Sequence, residues 1–407
     1  MTHNHINYQA RLELVQEILD ERFGFAVGGS LLSVTFPVGV RSRCPFKYNN
    51  FAYRISLQPP TASDRSTNNA PPQKGTGPIP EGTKEFIMRL TNPDAEDIIS
   101  LASAALRGFQ PHVVPHIYGW ASAKSGQGWI LQEFMPGSPV DEAFKTMDHE
   151  QEKKIFAQMA ELLKGLQEYT LPETITAFGG VTYDDAGQII SEAMPSVGAG
   201  PWPSFEASFI GRLEVALKKA DDNPYIREWR ANGLRDRLEA FVAEGVPDQF
   251  GIPSSKEDRV IVHADFTLID YDFATISHPS FEFLRSFDGA GGQFRGWTGD
   301  EEGEKAALRN AKLHGFPSPL QETQPDGAVN WEVSKDWEDA LEGAGVKRPR
   351  NIQGFEGVAD VDTILRSILP WRVSNSDILR LQSEEVILQC RDENEEHLDK
   401  LLSRLGW

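Results

Sequence analysis

Val260-Ile-Val-His-Ala-Asp-Phe266, followed at once by Thr267-Leu-Ile-Asp-Tyr-Asp-Phe273, decides how this chain is read. Val260, Ile261 and Val262 are β-branched and apolar, which predicts a short buried strand. Such a strand delivers His263-Ala264-Asp265 at its end, and the apolar pair Leu268-Ile269 delivers Asp270 and Asp272 in the same way. Carboxylates at strand ends suit two tasks: taking a proton from a hydroxyl nucleophile, and holding Mg²⁺, which prefers oxygen ligands. A surface hairpin carrying solvated acids is the competing reading of the same residues.

The segment VIVHADF resembles the catalytic loop of the aminoglycoside phosphotransferase family, relatives of the protein kinases, and LIDYDFATISHPSFEFLRSF resembles that family's metal-binding strand and following helix. In kinase-type catalytic loops an Asp accepts the acceptor hydroxyl's proton, an Asn a few residues later holds one metal, and a separate Asp holds the bridging metal. The resemblance implies that Asp265 is the catalytic base, that His263 braces the loop, and that Asp270 is the Mg²⁺ ligand with Asp272 beside it. It implies a protein-kinase-like α+β fold of two lobes, and ATP and Mg²⁺ as cofactors. It extends to the large fungal group within the family.

The chain departs from the family at one place. Members carry a polar turn with the metal-binding Asn, a strand and a second turn between the two acidic motifs, whereas here only Phe266 to Ile269 intervene and no Asn occurs between Asp265 and Ser277. An alternative register puts Asp270 at the Asn position, since D-x-x-x-x-N has the Asp265–Asp270 spacing, and leaves Asp272 for the second role. The continuation Asp270-Tyr-Asp-Phe-Ala favours the first register. The chain reads as a phosphotransferase with an internal deletion at its site, either a degenerate copy or a gene model lacking coding sequence. Removing a strand beside the site should also cost its sheet partner ladder hydrogen bonds.

Composition sets outer limits. At 407 residues, 40% hydrophobic and 25% charged, the chain is long enough for two lobes that each bury a core. No stretch approaches a membrane span, and the polar start Met1-Thr-His-Asn-His-Ile6 lacks the pattern of a signal peptide, so a cytoplasmic location is expected. Cys44 and Cys390 make neither a disulfide framework nor a metal cluster. A formal net charge of −20 opposes nucleic acid and anionic membranes as partners. The same charge would suit a cationic, hydroxylated small-molecule substrate, although acidity also serves solubility. Asp300–Glu304 and Asp392–His397 read as solvated helix faces rather than binding sites.

The small lobe is expected over residues 1–133. Apolar residues at Leu12, Leu14, Val15, Ile18 and Leu19 predict an amphipathic helix over Arg11–Arg22. Phe51, Tyr53, Ile55 and Leu57 alternate as in a strand, and the Lys47–Asn50 stretch before it resembles the phosphate-covering loop, which makes Asn50 a nucleotide-side candidate although no glycine is present. Residues 58–83, rich in Pro, Ser, Asn and Gly, predict a long mobile loop. Lys84–Leu90 predicts the next strand, in which Arg89 resembles the cation that clamps nucleotide phosphates, ahead of Lys84 at the strand's start. Glu96 is the nearest match to the carboxylate that orients such a cation, and it would equally favour a helix N-terminus through the dipole. Val113–Trp120 and Gly128–Gly137 resemble the last strands and the hinge, where Glu133, Phe134 and Met135 would offer backbone groups to an adenine edge before Pro136-Gly137 turns the chain.

Residues 134–407 are expected to form a mostly helical lobe. Asp148 and Gln151 make a capping-box pair ahead of the stripe Ile155, Met159, Leu162, Leu163 and Leu166. Further helices are predicted over Phe205–Ala220, Ile226–Ala243, Glu301–His314, Asp360–Leu369 and Ser376–Leu405. Trp202, Trp229, Trp297, Trp331, Trp337 and Trp371 follow no repeat and read as core or pocket wall. The resemblance places Glu282, Arg285, Trp297 and Trp371 near candidate acceptor surfaces. A kinase-like binding protein without catalysis is the alternative function, favoured by the missing Asn.

Overall fold

The structure, a computed structural model, describes residues 7–25, 32–35, 50–57, 73–91, 96–106, 108–109, 112–122, 126–138, 140–144, 146–250, 258–266, 271, 273–288, 292–297, 299, 303–322 and 329–407. The chain divides into two compact units, Met1–Gly137 and Ser138–Trp407.

In the first unit, helix α1 (Tyr8–Phe23) precedes strands β1 (Leu32–Thr35), β2 (Asn50–Leu57) and β3 (Glu85–Thr91). Helix α2 (Glu96–Ala105) then leads to strands β4 (Ile117–Ala121) and β5 (Gly128–Glu133). The strands form one antiparallel sheet in the order β1-β2-β3-β5-β4. Alternation works as the sequence predicts: Tyr53, Ile55 and Leu57 of β2 and Phe86, Met88 and Leu90 of β3 share one face. That face buries Val15, Ile18, Leu19 and Phe23 of α1. Arg11 ties the helix to the sheet, its Nε donating to the Tyr53 hydroxyl at 3.0 Å while its guanidinium lies 3.8 Å over the Phe51 ring.

Of the segment expected to be mobile, residues 58–72 lie outside the described residues. Residues 73–83 do not hang free: Gln73 bonds the Trp120 backbone at both N and O, Trp120 Nε1 donates to Lys74 O, and Gly77 N donates to Ile117 O. Apart from the indole bond, each of these occupies a backbone group of the edge strand β4.

The second unit opens with α3 (Val140–Phe144) and α4 (His149–Glu168), whose N-terminus carries the predicted capping box between Asp148 and Gln151. A hairpin of β6 (Gly180–Tyr183) and β7 (Ile189–Glu192), which the sequence did not announce, precedes α5 (Phe205–Asp221). The single helix expected over Ile226–Ala243 is broken instead. Gly233 adopts φ 81, and α6 (Leu234–Ala240), a π turn and α7 (Val246–Phe250) follow it. Strands β8 (Val260–Val262) and β9 (Thr275–Ser277) pair antiparallel, and α8 (Ser280–Arg285) follows directly.

Helices α9 (Glu304–His314), α10 (Trp331–Ala344), α11 (Phe355–Ile368), α12 (Trp371–Ser374), α13 (Ser376–Leu379) and α14 (Glu384–Arg404) complete the unit. The helix expected over Ser376–Leu405 is therefore two, the second opened by the Ser383 cap on Val386 N. One apolar core runs through α4, α5, α6, α7, α8, α10, α11 and α14. The result is the α+β class that the sequence implies, one small antiparallel sheet unit and one helical unit.

Candidate active site

Strand β8 is buried at all three positions, and β9 pairs with it while also exchanging two backbone hydrogen bonds between Ile276 and Gly179. Thr275 adds a side-chain bond to Gly179 O at 2.5 Å. The sequence predicts a loss of ladder hydrogen bonds beside the site; β8 is nonetheless paired with β9 at all three of its positions.

The turn leaving β8 carries the predicted base. Ala264 (φ 71) and Phe266 (φ 53) are both left-handed and flank Asp265. For residues with a Cβ this conformation costs on the order of 1–3 kcal/mol each, so the surroundings must hold it. The result is an Asp265 carboxylate turned outward, its side chain 38% exposed, beside a His263 that is fully buried. His263 Nδ1 lies 2.6 Å from Asp265 Oδ1, outside the alignment of a hydrogen bond, so His263 limits where the carboxylate can lie.

What holds the turn is Glu282. Its carboxylate accepts from His263 N at 2.6 Å, from Ala264 N at 3.1 Å and from the Ser286 hydroxyl. Glu282 is 1% exposed. Burial pushes its pKa up, against the lowering influence of His263, the Ser286 hydroxyl and the two amides. On the other side a chain of rings anchors the turn to the core: Phe266 to Phe287 at 5.0 Å, Phe287 to Trp337 at 4.8 Å and Trp337 to Phe156 at 5.7 Å. Tyr271 is buried against the His263 ring at 4.6 Å. Burial raises its pKa, so it stays a neutral phenol.

These contacts change several expectations. Glu282 is a buried brace and does not line an acceptor surface. Arg285 is half-buried, 3.2 Å from Asp362, in a cluster that also holds Arg366. Trp371 is 55% exposed and so is not core, whereas Trp229, Trp331 and Trp337 are buried. Asp270 and Asp272 lie outside the described residues.

The nucleotide-side candidates belong to the first unit. Arg89 sits in β3 opposite Ala52 and Ile130, on the face away from Met88 and Leu90, and is 3% exposed. Asn50 opens β2 opposite Thr91, and Glu96 is the first residue of α2; the side chains of both lie outside the described residues. Glu133 ends β5. Its N–H donates to His116 O at 2.8 Å. Its carboxylate meets His112 Nε2 at 2.7 Å and accepts from His116 N at 3.2 Å. Phe134 packs under the Arg54 guanidinium at 4.2 Å, and Met135 is half-buried beyond it.

The sequence pattern of the phosphotransferase enzyme family (APH) matches residues 80–312, more than half of the chain. The chain belongs to this phosphotransferase family. The match runs from just before β3 through β8, the Asp265 turn, β9, α8 and α9. No functionally curated protein matches the sequence. Among solved structures, aminoglycoside phosphotransferase APH(4)-Ia is similar over 97% of this chain and 99% of its own, at 10% identity and a TM-score of 0.45. Spectinomycin phosphotransferase APH(9)-Ia, solved with ADP and spectinomycin, is similar over 97% and 98%, at 11% identity and a TM-score of 0.41. At those scores the structural likenesses add nothing to the family match. The sheet order of the first unit and the helical second unit of this phosphotransferase-family chain accord with the protein-kinase-like fold.

Proposed function

We propose that this chain is an ATP-dependent phosphotransferase for a hydroxyl group of a small molecule, with turnover lowered by the shortened segment after Asp265. The observation that carries this reading is the Asp265 turn. Two left-handed residues, the Glu282 brace and the ring chain hold one carboxylate toward solvent in a chain of the phosphotransferase family.

Asp265 accepts the acceptor's proton as that oxygen bonds to the γ-phosphorus and the bond to the ADP oxygen breaks. His263, buried, holds the carboxylate's direction and takes no part in the transfer. Arg89 balances phosphate charge, and Glu133, Phe134 and Met135 offer backbone to the base. Asp270 and Asp272 carry the oxygen donors that suit Mg²⁺, which would neutralise charge on the phosphates. The net charge of −20 favours a cationic acceptor reaching the protein. Among the described residues no helix is long and apolar enough to cross a membrane.

Asp265→Asn should lower phosphoryl transfer to hydroxylated acceptors by about 10²–10⁴-fold, the range of a general base, with the thermal midpoint unchanged. Equal turnover in both proteins would sink the assignment of the base. The second reading, a kinase-like binding or interaction protein without catalysis, is favoured by the lack of any Asn between Asp265 and Ser277. Under it, Mg²⁺-ATP leaves the thermal midpoint unmoved; under the first, saturating ligand raises it.

A further inference from the structure

The first unit gathers two imidazoles and a carboxylate at one point that the phosphotransfer reading does not use. His112, His116 and Glu133 each offer one ligand atom, and these atoms all lie within 4.8 Å of one another. Both histidines are exposed and Glu133 is half-buried, so an ion could reach them directly from solvent.

The backbone fixes this grouping. Glu133 N donates to His116 O, and His116 N donates back to Glu133 Oε2, so the end of β5 and the residue before β4 are locked to each other. His112 is carried to the same carboxylate by Val113-Val114-Pro115, in which Val114 is 4% exposed and anchors the segment. The His112 and His116 rings lie 4.7 Å apart with a 31° tilt, and His112 Nε2 meets Glu133 Oε2 at 2.7 Å.

We propose that His112, His116 and Glu133 form a binding site for a divalent transition-metal ion of the Zn²⁺ type. Two nitrogens and one oxygen are the donor set that borderline-soft ions prefer, with bonds of about 2.0–2.2 Å. Mg²⁺ prefers oxygen donors in octahedral geometry and is a poor competitor for it. The ion takes the place of the His112–Glu133 hydrogen bond, and small rotations of the exposed rings bring the three donors to ligand distance. Three protein ligands leave a position for water. Because Glu133 ends the strand that leads into Phe134 and Met135, a bound ion also stiffens that crossing point of the chain.

The test uses the full chain and Zn²⁺ alone, so its outcome is independent of nucleotide binding and of catalysis. Isothermal titration after chelator treatment should show one site in the wild type that excess Mg²⁺ does not displace. His112→Ala and His116→Ala should each weaken it by at least about 10–100-fold, the loss seen when merely an outer partner of a metal site is removed. Co²⁺ should give a visible absorption band in the wild type that the double variant lacks. Both histidines are exposed, so the variants should keep the wild-type thermal midpoint without metal. If the double variant binds Zn²⁺ with wild-type stoichiometry and affinity, the site does not exist.

Discussion

At the scale of single residues, the site depends on a carboxylate that never meets solvent. Glu282 satisfies the backbone of the Asp265 turn through two acceptor oxygens, and a Gln there would turn an amide N–H toward an N–H. Glu282→Gln should cost about 1–3 kcal/mol of stability, read from denaturant unfolding, because a buried donor is left without an acceptor. It should also lower turnover by displacing Asp265. A stability equal to wild type would mean that the turn is held by its rings alone. His278 offers a titration. Burial lowers its pKa to about 4, against Asp258, while its Nδ1 contacts the Ser280 hydroxyl at 2.8 Å. Its folded pKa lies below the ordinary value of 6.5, so the unfolded chain binds the extra proton first. Stability from this group is full above pH 6.5 and falls as pH drops toward 4, by about 1.4 kcal/mol per pH unit. Comparing wild type with His278→Gln across that window should show the slope in the wild type and its loss in the variant. Asp265 and His263 were legible because a β-branched run ends on them. The role of Glu282 was not, since nothing in local spacing says that a residue on the next helix folds back onto the turn.

At the scale of elements, the strands of the first unit were legible from period-2 alternation and α4 from its capping pair, because both signals are local. Helix α10 is not among the helices the sequence predicts, although Asn330 caps Val333 N and Trp337, Leu341 and Ala344 line one face. The break at Gly233 and the β6–β7 hairpin depend on tertiary contacts that a periodic pattern does not carry. Gly180 shows this for the hairpin: a Cβ there would lie 2.3 Å from Ala193 O and 2.9 Å from Pro195 Cδ, and backbone cannot swing aside. Gly180→Ala should therefore destabilise the second unit by about 1–3 kcal/mol or more, as overpacking does. A thermal midpoint within a degree of wild type would show that the hairpin can shift to admit the methyl.

At the scale of the whole molecule, the two units have separate apolar clusters. One unites α1 with the sheet of the first unit, and the other unites the helices of the second. Chains of this kind depart from two-state unfolding. Calorimetry should resolve two components, and Met88→Ala, which empties a fully buried position of the first unit at a cost of about 2–5 kcal/mol, should move only one of them. A single component shifting as a whole would mean that the units unfold as one. The pairing of β8 with β9 bears on what an insertion after Asp265 would cost. Both ends of residues 263–274 are fixed by ladder bonds, so extra chain spliced in after Asp265 would lengthen a loop whose ends are already held. Loop-closure entropy grows only logarithmically, about 0.6 kcal/mol for each doubling of length. An Asn-bearing insert at that point is therefore one that the paired strands β8 and β9 can accommodate at small entropic cost.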